Sequence, residues 1–322
     1  MLTRSLFLFS GLLLFSCNSS IDRIEKTNSL KDTITSLSLI VLGTVQDGGS
    51  PHIGCNKNCC EKLFSNPDKN RKVVSLGVID SENKKNYLFE ATPDMTSQLR
   101  MLQDNSTFKS SDIPDGVFLS HAHIGHYSGL MYFGKEAMNS NGVKVYTMPR
   151  MKTFLETNGP WSQLVSLNNI QIQTITDTES IQLSSALKVT PFLVPHRDEF
   201  SETVGYRIEG PNKKVMFIPD IDKWSKWNKD IVEEIKTVDY AFVDATFFDG
   251  QEIQNRDISQ IPHPFVIESM ELFKMLPEKE KNKIYFIHFN HTNPLLNKES
   301  AAYKEVLKNG FHVAEIGTVF SL

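Results

Sequence analysis

Residues 121–126 read His121-Ala122-His123-Ile124-Gly125-His126. An apolar run from Gly116 to Ser120 precedes them, and an amphipathic segment from Tyr127 to Met138 follows. This pattern predicts a strand that turns into a helix with three imidazoles at the turn. Neutral imidazole is a common ligand for zinc and similar metals, and one turn can aim closely spaced rings at one ion. Further candidates stand at other predicted strand ends. Val189 to Val194 leads into Pro195-His196, Lys214 to Pro219 ends at Asp220, and Ile284 to Ile287 ends at His288.

The hexad resembles the H-x-H-x-D-H signature of the metallo-β-lactamase superfamily, with Gly125 where that family has aspartate. His196 matches the family's third metal histidine, Asp220 its metal-bridging aspartate and His288 its last histidine. The resemblance implies an α/β protein with a four-layer αββα sandwich, the metallo-β-lactamase fold. Periodicity alone predicts mixed α and β structure in one large domain.

The chain has 322 residues, 40% of them hydrophobic, enough for a substantial core. Its net charge of -4 and scattered basic residues give no nucleic-acid footprint, so a small-molecule substrate is expected. Met1-Leu2-Thr3-Arg4 and the apolar run Leu6 to Phe15 have the layout of a secretory signal peptide, and the run is too short to span a bilayer. Leu14-Phe15-Ser16-Cys17 resembles a bacterial lipobox. The expected organisation is a lipoprotein signal over 1–16, a polar tether over 17–35 and a metallo-β-lactamase-like domain over 36–322. Lipid on Cys17 would place the protein in the bacterial cell envelope, outside the cytoplasm and held to a membrane; an ordinary signal peptide cleaved nearby is the alternative.

Ser36 to Val45 reads as a strand ending in Gln46-Asp47-Gly48-Gly49. Val73 to Ile79 and Asn86 to Glu90 read as a hairpin around a charged turn. Thr92 is the expected N-cap of the next helix, with Pro93 at its first position. Helices are expected at Met151 to Glu156, Lys223 to Lys236, Ser269 to Met275 and Lys298 to Asn309, and a final strand at His312 to Leu322.

By the resemblance, His121, His123 and His196 hold one catalytic zinc in an open site with Asp220 beside it. His126, Asp220 and His288 form a second position. Lacking a carboxylate at residue 125, that position is expected to be weak or empty. Asp220 is expected to orient the reactive water. His263, in Ile261-Pro262-His263-Pro264, is a candidate for protonating the leaving group. Asp47 and His52, in the loop after the first strand, read as structural residues, with a place at the mouth of the site as the alternative reading. A donor set of His, His, His and Asp also suits iron(II), and manganese is a further candidate.

Cys55, Cys59 and Cys60 are an odd number of thiols once Cys17 is lipidated. A Cys59–Cys60 bridge between neighbours would be strained. Three thiolates and the imidazole of His291 would make a closed structural zinc site. A Cys55–Cys60 or Cys55–Cys59 disulfide is the competing reading. The loop resembles that of the carbon–phosphorus lyase phosphodiesterase branch, C-x-C-x-x-C, with Lys57 in the middle position and Cys59 in its stead. Gly43 to Pro51, Glu90 to Asp94, Val243 to Phe248 and Asn290 to Leu295 resemble the coenzyme PQQ synthesis protein B branch. That branch tends to lack the paired first histidines, so the ligand set here points to a hydrolase cleaving a phosphodiester or another ester or lactone. An iron-dependent oxygenase or cofactor-biosynthetic enzyme, and a non-catalytic binding lipoprotein, remain as alternatives.

Overall fold

β1 (Leu37–Gly43) is buried along its whole length. Leu37, Leu39 and Val41 face a core shared with the opposite sheet, whereas Ile40 and Leu42 face a separate cluster that includes helical Met95, Leu99 and Leu102. A strand buried on both faces reads as a continuous apolar run, because alternate side chains enter different cores. The computed structural model describes residues 36–253 and 261–322. The signal, lipobox and tether expected over 1–35 lie outside the described residues. No helix among the described residues is long and apolar enough to cross a membrane.

β2 (Ser75–Asp80), β3 (Lys85–Phe89), β4 (Gly116–Phe118), β5 (Val143–Thr147) and β6 (Ile170–Thr174) continue from β1 into one sheet. The second sheet contains β7 (Ile181–Gln182), β8 (Lys188–Leu193), β9 (Val204–Glu209), β10 (Lys214–Ile218), β11 (Tyr240–Asp244), β12 (Ile284–Ile287) and β13 (His312–Val313). β14 (Val319–Ser321) returns to pair with β1, giving two seven-stranded sheets. Val215 and Phe217 of β10 enter the shared core, and Met216 and Ile218 pack outward with helical Ile231, Ile235, Val266 and Phe273. The order helix, sheet, sheet, helix is the αββα sandwich, as expected.

Strand direction positions the site. β10, β11 and β12 are parallel neighbours, and so are β3 and β4. β1 joins β3 through antiparallel β2, and β8 joins β10 through antiparallel β9. The C-terminal ends of the like-directed strands β1, β3 and β4 in one sheet, and β8, β10, β11 and β12 in the other, therefore fall along one edge, and those ends carry the chemistry.

Four local expectations change. The amphipathic segment after the histidines forms no regular helix over Tyr127 to Met138, but a short helical turn, Ile124–Tyr127, and a 3-10 helix, Ser128–Phe133. The helix after Thr92 begins at Met95 with Asp94 at its N-cap position. Thr92 instead accepts from the Asp94 backbone N–H at 3.0 Å, and the Asp94 carboxylate accepts from Val73 N–H at 2.8 Å. Lys223 to Lys236 is two pieces, a 3-10 turn Trp224–Lys226 and the helix Ile231–Lys236. Asp230 starts the second piece by accepting from Val232 N–H at 2.8 Å, while buried Trp224 and Trp227 hold the first against the core. The final segment is not one strand but two in different sheets. Gly317, at φ +87°, occupies the left-handed region in the connection between them.

A candidate metal centre

His121, His123, His196 and Asp220 present donor atoms that all lie within 4.8 Å of one another. His121 Nε2 stands 2.8 Å from His123 Nδ1, and His196 Nε2 stands 3.3 Å from that same nitrogen. Asp220 Oδ2 lies 3.4 Å from His121 Nε2 and 3.3 Å from His196 Nε2. Bonds of about 2.0–2.1 Å to one tetrahedral ion put donors about 3.3 Å apart. The chemistry and the spacing of this set fit zinc.

Each ring is held from outside. Ser120 Oγ stands 2.8 Å from His121 Nδ1, Glu199 Oε2 is 3.2 Å from His123 Nε2, and Asp222 Oδ1 is 3.1 Å from His196 Nδ1. Such outer partners fix which nitrogen points inward and raise ligand basicity. Burial, and then the neighbouring His126 ring, holds His121 well below its ordinary value, so its imidazole is neutral as a metal ligand must be.

A second group adjoins the first. His126 Nε2 lies 2.9 Å from Asp47 Oδ1, and His288 Nε2 lies 3.6 Å from the same oxygen. Asp220 joins the two groups: its Oδ2 is 4.0 Å from His126 Nε2, and its Oδ1 is 3.1 Å from His263 Nδ1. Glu90 Oε2 stands 3.4 Å behind His126 at Nδ1, and Thr246 Oγ1 stands 2.9 Å behind His288 at Nδ1. Asp47 Oδ1, His126 Nε2, His288 Nε2 and Asp220 Oδ1 are buried with no hydrogen-bond partner among the described residues. Glu90 and His288 also sit at φ +75° and +70°, conformations that cost non-glycine residues about 1–3 kcal/mol and cluster at functional sites.

The sequence-predicted ligands of both positions are thus brought together. Asp47 is not a mouth residue: burial alone would raise its carboxyl, but the His126 and His288 imidazoles outweigh burial and hold it well below the usual carboxylate range. Its loop is fixed by Phe289, whose N–H donates to Thr44 O and whose carbonyl accepts from Gln46 N–H, both at 2.8 Å. His263 also enters the site, with Nδ1 2.8 Å from Asp244 Oδ2. Burial opposes charge on His263, yet the Asp244 and Asp220 carboxylates override it and hold the imidazole well above its ordinary value. Asp244, Asp222, Glu90, Glu199 and Thr246 are functional neighbours that the sequence reading missed. Asp244 had a usable signal, since it ends an apolar run just as Asp220 and His288 follow theirs.

Cys55, Cys59 and Cys60 are free thiols. Cys59 Sγ lies 3.8 Å from Cys55 Sγ and 3.9 Å from Cys60 Sγ. Zinc–sulfur bonds of about 2.3 Å in a tetrahedron put sulfurs about 3.8 Å apart. His291 completes this group within 4.8 Å, and Cys60 Sγ accepts from His52 N–H at 3.3 Å. Burial, then His52 and Lys57, hold His291 down to about 4, leaving a neutral ring. His52, stacked on His291 at 4.3 Å, lines the cleft with it.

The cleft has a volume of about 910 Å³ and is lined by Lys57, Arg197, Lys226, Asp222, Glu252 and His263 among others. Lys226 pairs with Asp222 at 2.8 Å. Burial pushes Glu252 up to about 7, so its negative charge is only partly expressed at neutral pH.

The beta-lactamase superfamily domain profile matches residues 85–289. The chain belongs to the beta-lactamase superfamily. Within the superfamily it resembles coenzyme PQQ synthesis protein B of Methylorubrum extorquens (strain PA1), at 22% identity over 89% of this chain and 100% of the relative. The protein of the same name from Methylobacillus flagellatus is 26% identical, covering 86% of this chain and 97% of the relative. The crystal structure of Zn(2+)-bound PqqB from Methylobacterium extorquens superposes with a TM-score of 0.72 at 21% identity, over 88% of this chain and 100% of that one. A diphosphatase from the PhnP family gives a TM-score of 0.58 at 22% identity, over 88% and 96% of the two chains. These superpositions bear out the fold.

Proposed function

We propose that this protein is a metal-dependent hydrolase of an anionic ester, with a phosphodiester as the favoured substrate class. The observation that carries the reading is a pair of adjoining donor groups, one of them holding Asp220, whose neighbours Asp222, Thr246 and His263 line one cleft. His121, His123, His196 and Asp220 would hold one zinc, His126, His288 and Asp220 belong to a second position, and Cys55, Cys59, Cys60 and His291 would hold a structural zinc. A bound divalent ion lowers the pKa of a water towards neutrality and polarises a phosphoryl or carbonyl oxygen. Asp220 reaches both positions through one oxygen, with Oδ2 3.3 Å from His196 Nε2 and 4.0 Å from His126 Nε2, while its Oδ1 faces His263. His263, held by Asp244 and lining the cleft, is placed to hand a proton to the leaving group. Lys57 and Arg197 supply positive charge for an anionic substrate.

Turnover of bis-para-nitrophenyl phosphate is expected in the zinc-loaded protein, lost on chelation and regained with added zinc. A chelator-insensitive rate, or no turnover across a panel of phosphodiesters, carboxylic esters and lactones, would sink the hydrolase reading. The relationship to PQQ synthesis protein B favours a second reading, an iron-dependent oxygenase on the same ligands. Iron as the main metal in protein purified without added metal would favour it. A carboxylate missing at residue 125 favours a non-catalytic binding protein, and that support weakens with Asp47 beside His126 and His288.

We also propose that Cys17 is lipidated and holds the mature protein at a membrane of the cell envelope. Bacterial lipoproteins carry more than one acyl chain, as firm anchoring requires. Cys17→Ser is expected to move the protein from the membrane to the soluble fraction; unchanged partitioning would refute the anchor.

A further inference from the structure

Gly125 is not glycine for backbone reasons, because it is absent from the positive-φ positions. The constraint is space. A Cβ built at residue 125 would lie 2.4 Å from Asp47 Oδ1 and 2.6 Å from Asp47 Cα. The second contact is with backbone, so no rotation of the Asp47 side chain relieves it. A side chain at residue 125 and Asp47 in its present place exclude one another.

Asp47 brings a carboxylate to this place from a different segment of the chain. Its Oδ1 faces His126 Nε2 and His288 Nε2 at 2.9 and 3.6 Å. None of these three buried atoms makes a hydrogen bond among the described residues. The outer nitrogens of both rings are meanwhile engaged by Glu90 and Thr246. Two imidazoles held from behind and a carboxylate, with their free atoms turned to one another, are a ligand set.

We propose that Asp47 is the terminal carboxylate ligand of a second metal ion, with His126 and His288 as its imidazoles and Asp220 at its edge. Asp47 thereby replaces the carboxylate that the H-x-H-x-D-H pattern carries at residue 125, and Gly125 is the complement that admits it. The second position is then fully furnished, not weakened. This inference rests on the metal-dependent reading, but it is tested by metal binding and needs no substrate.

The experiment is zinc reconstitution with elemental analysis, followed by cobalt(II) titration of the metal-depleted protein. Near-ultraviolet thiolate-to-cobalt absorption marks the ion at the cysteine loop, and the ions that elemental analysis finds beyond it are the histidine–aspartate ions. Wild type is expected to take up two ions at the latter. Asp47→Asn keeps the shape and removes the charge. It is expected to retain the first ion and weaken the second by at least about 100-fold, beyond the loss typical of outer partners. Gly125→Asp is expected to lose the second ion, because the Cα of residue 47 leaves no room for a Cβ at residue 125 while Asp47 holds its place.

Asp47→Asn that is folded by circular dichroism and binds both ions as wild type does would overturn the proposal, leaving Asp47 a structural partner of His126. Wild type that takes up only one ion outside the cysteine loop would overturn it as well. A folded Gly125→Asp variant that binds both ions as wild type does would overturn the role given to Gly125, with Asp47→Asn still deciding that of Asp47. Two bound ions without turnover would count against the hydrolase reading and leave Asp47 as a ligand.

Discussion

His196→Ala is expected to remove the first ion and to lower turnover by about 1,000-fold or more. The imidazole is one of three converging on one point, and its Nε2 stands 3.3 Å from both His123 Nδ1 and Asp220 Oδ2. A thousandfold loss corresponds to about 4 kcal/mol of barrier, within the several kcal/mol that metal polarisation contributes. Asp222→Asn, which acts on the same ring from outside, is expected to be milder, at about 10–100-fold in metal affinity. Elemental analysis and turnover of bis-para-nitrophenyl phosphate together check both. Full metal content and activity in His196→Ala would rule out the ligand set.

His291→Ala is expected to release the zinc of the cysteine loop and lower Tm by roughly 6–10 °C. Binding energy at a structural zinc is folding energy, of about 10–16 kcal/mol in small zinc domains. Loss of one ligand in four within a larger fold should forfeit about 3–5 kcal/mol, at about 2 °C per kcal/mol for a chain of this size. The loss should also reach the metal centre. Cys55 follows β1 and His291 follows β12, and between these same strand ends Phe289 and Thr44 already hydrogen-bond at 2.8 Å. Zinc at the cysteines would close the clasp that keeps Asp47 beside His288. Weaker second-ion binding is therefore expected in His291→Ala, as a smaller echo of Asp47→Asn. Unchanged zinc content and melting, or a native disulfide found by mass spectrometry between two of the three cysteines, would exclude this role.

The fold and the places of His121, His123, His126, His196, Asp220 and His288 were legible in the chain because each follows or ends an apolar run. Strands buried on both faces are continuous in their hydrophobicity, so their ends are sharp in sequence. Parallel order within each sheet then carries those ends to one edge. The cysteine loop was legible for a similar reason: thiols at short spacing need no long-range contact to be noticed.

Other features had no local mark. His312 to Leu322 has strand character throughout, and only the pairing of Phe286 with Val313 and of Leu39 with Phe320 divides it between two sheets. Asp244 ends an apolar run, yet its hold on His263 depends on a loop that joins it only in the fold. Gly125 reads in sequence as a missing ligand. Its meaning lies in the 2.4 Å between an absent Cβ and Asp47 Oδ1. Sequence determined which strand ends carry donor atoms; tertiary packing decided which carboxylate reaches the second position, because two side chains cannot fill one space.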